Sequence, residues 1–192
     1  MRMREILGII ESNGRARTAP DPRLEHALWW LQRWISGSMN DPDWTWPEAE
    51  STSIEQAFII LGQTVGNRRA LAKPMLWRSL ILSKARARKI VQTRLLPPNP
   101  MHTFQSFSGS RKAAVEFGSD MPSPEGSVHV LVSIRPDASL IPFSMADLRA
   151  ARHPKVKEAL LSLDLWQHQD EVLVHVMAPL PLMSAEIQKP TG

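Results

Sequence analysis

Three apolar runs dominate the second half of the chain: MLWRSLIL (75–82), SVHVLVSI (127–134) and EVLVHVMA (171–178). Each is short and rich in branched apolar residues. Each is also bounded by turn formers or polar residues: Pro74 and Ser83, Gly126 and Pro136, Asp170 and Pro179. That is the pattern of a strand. A strand cannot stand alone, because its backbone N–H and C=O groups need partners outside the segment. The runs are separated by long stretches of other character, so any sheet that joins them rests on non-local pairing.

The first third of the chain reads as helix. Residues 4–11 suit a helix ending near Asn13-Gly14. Asp21-Pro22 is a cap followed by proline at the first helical position. RLEHALWWLQRWI then places Leu24, Ala27, Leu28, Leu31 and Ile35 on one face, with Trp29, Trp30 and Trp34 widening it. These tryptophans read as packing. DPDWTWPEAE reads as a turn-rich loop, and Ser53-Ile54-Glu55-Gln56 has capping-box spacing that opens a helix stopped by Gly66. Further on, Ser83 caps a basic helix (SKARARKIVQTRL) whose Lys84, Arg86, Arg88 and Lys89 do not share one face, as on a solvated surface. Ser144-Met145-Ala146-Asp147 starts another helix, which His153-Pro154 interrupts. Helices first and strands interleaved later predict an α+β fold.

Composition limits the chemistry. With 192 residues, 43% of them hydrophobic, the chain can bury a core as one domain or as a domain with an appendage. There is no cysteine, which excludes disulfides, thiolate metal sites and a cysteine nucleophile. The six histidines are scattered without ligand spacing, so no metal is expected. The sequence lacks G-x-S-x-G, a GKS/GKT phosphate loop and G-x-G-x-x-G. A net charge of +4 is too small to argue nucleic-acid binding by itself. MRMREILGIIES reads as an amphipathic helix and not a signal peptide, and no apolar run reaches the ~20 residues of a membrane span. The expected setting is the cytosol, of the producing cell or of a target cell, with no membrane partner.

Three features stand out from this background. Arg78 interrupts an apolar strand. Ser106, Ser108 and Ser110 alternate with Phe107 and Gly109 in QSFSGSRKAAVEFG, where an extended segment runs into a helix. Glu171 opens a V-L-V strand after the polar run QHQD. Singly, each has an ordinary explanation: a surface arginine, a serine cap, a solvated glutamate.

In order, the pieces MLWRSLIL, TFQSFSGSRKAAVEF and QHQDEVLVHV resemble the ADP-ribosyltransferases of the Arg-Ser-Glu class, over roughly residues 74–178. That class includes bacterial toxins, phage-encoded transferases and vertebrate ecto-enzymes. The resemblance implies a core of two packed, roughly perpendicular β-sheets over 71–192, with an N-terminal helical region over 1–70 packing on it. It also implies NAD as substrate, cleaved between nicotinamide and ribose, without a metal. Arg78 would then fork onto phosphate oxygens, with Phe107 and Ser108 completing the cofactor pocket. Ser106 would orient the glutamate or the nicotinamide ribose. Glu171 would stabilise the oxocarbenium-like ribose, as glycosidase carboxylates do. Gln169 would position the acceptor, and Trp166 lies where the family carries a target-recognition aromatic.

The chain departs from the family pattern at named positions. Phe107 replaces the threonine of Ser-Thr-Ser, and Ser79 stands where glycine often follows the arginine. Gln169-Asp170-Glu171 replaces Glu-x-Glu, which implies an acceptor other than arginine. The expected activity is mono-ADP-ribosyl transfer to a macromolecule, a protein more readily than a nucleic acid, by a bacterial effector or phage-encoded host modifier. Water as acceptor would make the same site an NAD glycohydrolase. A non-enzymatic basic module that binds nucleic acid or protein is the reading from a different class.

Overall fold

Pro22 opens helix α1 (Pro22–Ile35), the first element in the computed structural model, which describes residues 22–35, 48–99, 103–161 and 170–188. The expected helix over 4–11 lies outside those residues. The apolar face of α1 is buried as its spacing requires, through Leu24, Ala27, Trp30, Leu31 and Ile35. Helix α2 (Glu48–Val65) starts well before the capping spacing at 53–56, which lies inside it. Glu48 and Glu50 suit that earlier start, since acidic residues are favoured in a helix's first turn. The helix does stop at Gly66, which takes φ +77°. A single turn follows, α3 (Arg68–Leu71).

The strand signals hold, with additions. The elements after α3 are β1 (Leu76–Ser83), α4 (Lys84–Thr93), β2 (Leu95–Leu96), β3 (Phe104–Ser108), α5 (Arg111–Asp120), β4 (Ser127–Ile134), α6 (Met145–Ala150), α7 (Pro154–Leu161), β5 (Glu171–His175), β6 (Leu180–Pro181) and β7 (Ser184–Ile187). The last expected strand is shorter than its apolar run and ends at His175. Strands β2, β6 and β7 carry too few residues for any periodicity to announce them. The fold class is α+β: a five-stranded antiparallel sheet, ordered β5-β3-β1-β4-β7, plus a two-stranded sheet of β2 and β6.

Pairing within the large sheet is uneven. β1 and β4 run together over eight registered pairs, from Leu76 with Ile134 to Ser83 with Ser127. β3 and β5 are matched over five, from Phe104 with His175 to Ser108 with Glu171. Between these two ribbons the only registered pair is Trp77 with Ser108. Beyond it, β1 and β3 part.

The β3–β5 ribbon is buried on both faces, which is why β5 reads V-L-V without alternation. On one face Phe104 and Leu173 pack with α1, α2, Phe143, Met145 and Leu148. On the other, Phe107, Val172 and Val174 pack with Leu76, Val130, Val132, Ile134 and the Ala87–Ile90 face of α4. The remaining face of α4 leaves Lys84, Arg86, Arg88 and Lys89 exposed to solvent. The outer edge of β5 is covered too: Leu173 N–H donates to Phe143 O at 3.2 Å and His175 N–H to Leu140 O at 2.7 Å.

Two local devices hold helices in place. The capping box at Ser144 and Asp147 forms as its spacing predicts. The Asp147 carboxylate also accepts from Arg69 N–H at 2.7 Å and Ala70 N–H at 3.3 Å, tying α3 to α6. Helix α5 approaches β1 through Gly118, where a Cβ would lie 2.1 Å from Ser79 Oγ and 2.5 Å from Ser79 Cβ. Alanine in a helix normally gains about 1 kcal/mol over glycine, but overpacking costs about 1–3 kcal/mol. Gly118→Ala is therefore expected to lower the urea unfolding midpoint, and adding Ser79→Gly to recover most of the loss. A Gly118→Ala protein as stable as the parent would show that α5 does not rest on β1 through this contact.

Candidate active site

The parting of β1 from β3 creates the setting. Ser106, two residues from the last shared pair, has no registered partner on β1. Its carbonyl is taken instead by the Arg78 guanidinium, whose Nη1 donates to it at 2.5 Å. Arg78 pairs across β1–β4 with Val132 and so rises from the face that carries Phe107, with its guanidinium carbon 5.9 Å from the Phe107 ring centre. It thus reaches into the gap from the opposite side to the Ser106 side chain.

On the other face, strand alternation puts Ser106 and Ser108 beside Leu173 and Glu171. Ser108 is directly opposite Glu171, yet the diagonal neighbour makes the contact: the Ser106 hydroxyl donates to Glu171 Oε1. The Ser108 hydroxyl turns back to accept from Ser110 N–H at 3.0 Å, and Ser110 in turn caps α5 by accepting from Ala113 N–H at 3.2 Å. The three serines therefore divide their tasks: Ser106 faces the carboxylate, while Ser108 and Ser110 shape the entry to the helix. Phe107 is 2% exposed and belongs to the core of the opposite face, where it touches Arg78 and not the carboxylate.

Electrostatics mark Arg78 as unusual. Its Nε is buried with no hydrogen-bond partner among the described residues. Burial drives its pKa below the ordinary arginine value to about 10, a shift that the nearby Glu171 charge partly opposes. The guanidinium remains protonated at neutral pH, so the gap holds a positive charge beside a carboxylate.

A fourth residue joins the group, with a partner that no local pattern announces. The Trp34 indole N–H, at the end of α1, donates to Glu171 Oε1 at 2.9 Å. Its ring meets Phe58 edge-on, with centroids 5.6 Å apart. Packing is the expectation for all the tryptophans of α1, and Trp29, 42% exposed, does not meet it. It holds for Trp30, which is 1% exposed and donates to His26 Nε2 at 2.8 Å, but describes Trp34 only in part. A half-buried indole N–H still favours an acceptor, and no local pattern shows that it lies 137 residues away.

The rim is tied at Asp170. Gly109 N–H donates to Asp170 O at 3.0 Å, and Lys73 Nζ is 3.4 Å from Asp170 Oδ1. Trp166 and Gln169 lie outside the described residues. A separate hollow of about 290 Å³ opens at the far end of β3 and β5, among Ile59, Gly62, Asn67, Phe104, Pro142 and His175, and includes none of Arg78, Ser106 or Glu171. Among the described residues no group of histidine and carboxylate side chains could hold a metal ion, and no helix is long and apolar enough to cross a membrane.

No protein-family model, curated protein or solved structure matches the chain.

Burying Arg78 has a measurable consequence. Its folded pKa lies below its unfolded one, so folding penalises the charged form. That penalty is fully present below about pH 10 and fades as pH rises above it towards the ordinary arginine value. Arg78→Met removes the charge and keeps much of the apolar stem. The variant's urea midpoint at pH 7 is expected to equal or exceed the parent's. A clearly lower midpoint would mean that the bond to Ser106 O outweighs the desolvation.

Proposed function

We propose that the chain is an NAD-dependent mono-ADP-ribosyltransferase of the Arg-Ser-Glu class. The observation that supports this reading most is the bond from the Ser106 hydroxyl to the Glu171 carboxylate, with Arg78 anchored on the carbonyl of the same serine. Two strands and the gap beside them bring together the three residue types that the ordered motifs single out. The hydroxyl meets the carboxylate on one side of the sheet, and the cation reaches the backbone of the same serine from the other.

The chemistry follows from those groups. The bond between the nicotinamide nitrogen and the ribose anomeric carbon breaks, and its electron pair leaves with nicotinamide. Positive charge develops on the ribose, and the Glu171 carboxylate stabilises it electrostatically and holds a ribose hydroxyl. Ser106 restrains that carboxylate. Arg78 supplies positive charge for the diphosphate, and its unpartnered Nε is a donor that an anionic oxygen entering the gap would satisfy. The acceptor attacks the anomeric carbon and releases its proton to solvent. Gln169 would orient a macromolecular acceptor, and the same steps with water give NAD hydrolysis. The roughly perpendicular sheets of this enzyme class correspond, in this reading, to the five-stranded and two-stranded sheets.

The test is nicotinamide release from labelled NAD, with and without a cell lysate as acceptor source. Glu171→Ala is expected to lower release by roughly 10³-fold or more, since transition-state charge is left unopposed. Ser106→Ala should lower it by roughly 10- to 100-fold, the worth of a hydrogen bond to a charged group, with an unchanged unfolding midpoint. Label on macromolecules identifies transfer, whereas free ADP-ribose identifies hydrolysis. Release that does not depend on the Glu171 carboxylate would end this assignment.

A further inference from the structure

We propose that Trp34 is a positioning residue of the same site, so that the N-terminal helices belong to the catalytic apparatus; this rests on the ADP-ribosyltransferase reading above. The geometry is specific. The indole N–H and the Ser106 hydroxyl both donate to one oxygen of Glu171, Oε1. Ser106 approaches from the neighbouring strand β3, and Trp34 from helix α1, which covers that face of the ribbon. A glutamate side chain has three rotatable bonds, so a single donor leaves considerable freedom in where its carboxylate sits. Two donors from different elements restrain it far more tightly.

Trp34 is itself held firmly enough to serve this purpose. Leu31 and Ile35 on the same helix are 0% and 9% exposed, which fixes the last turn of α1 against the core. Its ring meets Phe58, which in turn packs edge-on against Phe104 of β3 with centroids 5.1 Å apart. The indole is therefore referenced to the very strand that carries Ser106. Tryptophan suits the position because it joins a large packing surface to one fixed donor. Phenylalanine would supply the surface without the donor. Carboxylate placement within about half an ångström is what an electrostatic stabiliser requires.

The experiment compares wild type, Trp34→Phe, Glu171→Asp and the double variant in steady-state nicotinamide release from NAD. Trp34→Phe keeps the contact with Phe58 and removes the N–H. Its kcat is expected to fall about 10-fold or more with KM within about 2-fold, because the lost bond acts through a group that works in the transition state. In the Glu171→Asp background, where the shortened carboxylate is beyond the indole, the same change should cost less than about 2-fold. A role in packing alone would reduce activity equally in both backgrounds, and that result overturns the proposal. So does a rise in kcat on Trp34→Phe, which would mark the indole as a plug. A wild-type protein without Glu171-dependent release overturns the NAD reading, and the role of Trp34 falls with it. An active wild type with an indifferent Trp34→Phe variant defeats only the role of Trp34.

Discussion

The parting of β1 from β3 after one registered pair is the constraint on which the rest of this molecule depends. Antiparallel strands normally satisfy each other's backbone groups along their whole length. Here the ladder stops at Trp77 and Ser108, and the carbonyl of Ser106 takes its hydrogen bond from the Arg78 side chain. A guanidinium in that gap is expensive. It loses water, its Nε has no partner among the described residues, and its pKa is driven down to about 10. An apolar side chain would close the gap at lower cost. The split sheet is thus a place where local stability has been given up, and such places tend to be sites of function.

The second constraint is that the β3–β5 ribbon has no solvent-facing side. Phe104 and Leu173 would lie open without α1 and α2, and Phe107, Val172 and Val174 would lie open without β1, β4 and α4. The helices of the first third therefore share a core with the strands that carry Ser106 and Glu171. That sharing is what brings Trp34 to the carboxylate. It also means that a boundary near residue 70, plausible from the change in sequence character, does not separate two independent cores.

Much of this was legible from local pattern because local physics decides it. Pro22, Gly66, Ser83, Ser110 and Ser144 each mark a helix end where capping or backbone freedom places it. The alternation through 104–108 correctly separates the hydroxyls from Phe107. What stayed hidden was non-local. Strand order, the single β1–β3 pair and the 137-residue reach from Trp34 to Glu171 depend on which surfaces meet, and no window of sequence contains that information. The start of α2 at Glu48 has a different cause. Two valid start signals were present, and the tertiary fold used the earlier one.

Two carboxylates of this chain are held in different ways. Asp147 is 4% exposed and accepts from three backbone N–H groups (Arg69, Ala70 and Ser144) as well as from the Ser144 hydroxyl. Backbone donors cannot leave without unravelling the turns they belong to, so Asp147 is a permanent joint between α3 and α6. The two hydrogen bonds described for Glu171 come from side chains, a serine and a tryptophan. Such donors restrain a carboxylate without consuming the backbone's own bonding, and they can adjust as a substrate arrives. Glu171 also lies within electrostatic reach of a half-buried cation, Arg78, whose Nε has no hydrogen-bond partner among the described residues. A fold needs joints of the first kind. In the ADP-ribosyltransferase reading proposed above, the second kind holds a carboxylate where a charged, hydroxylated ligand would meet it.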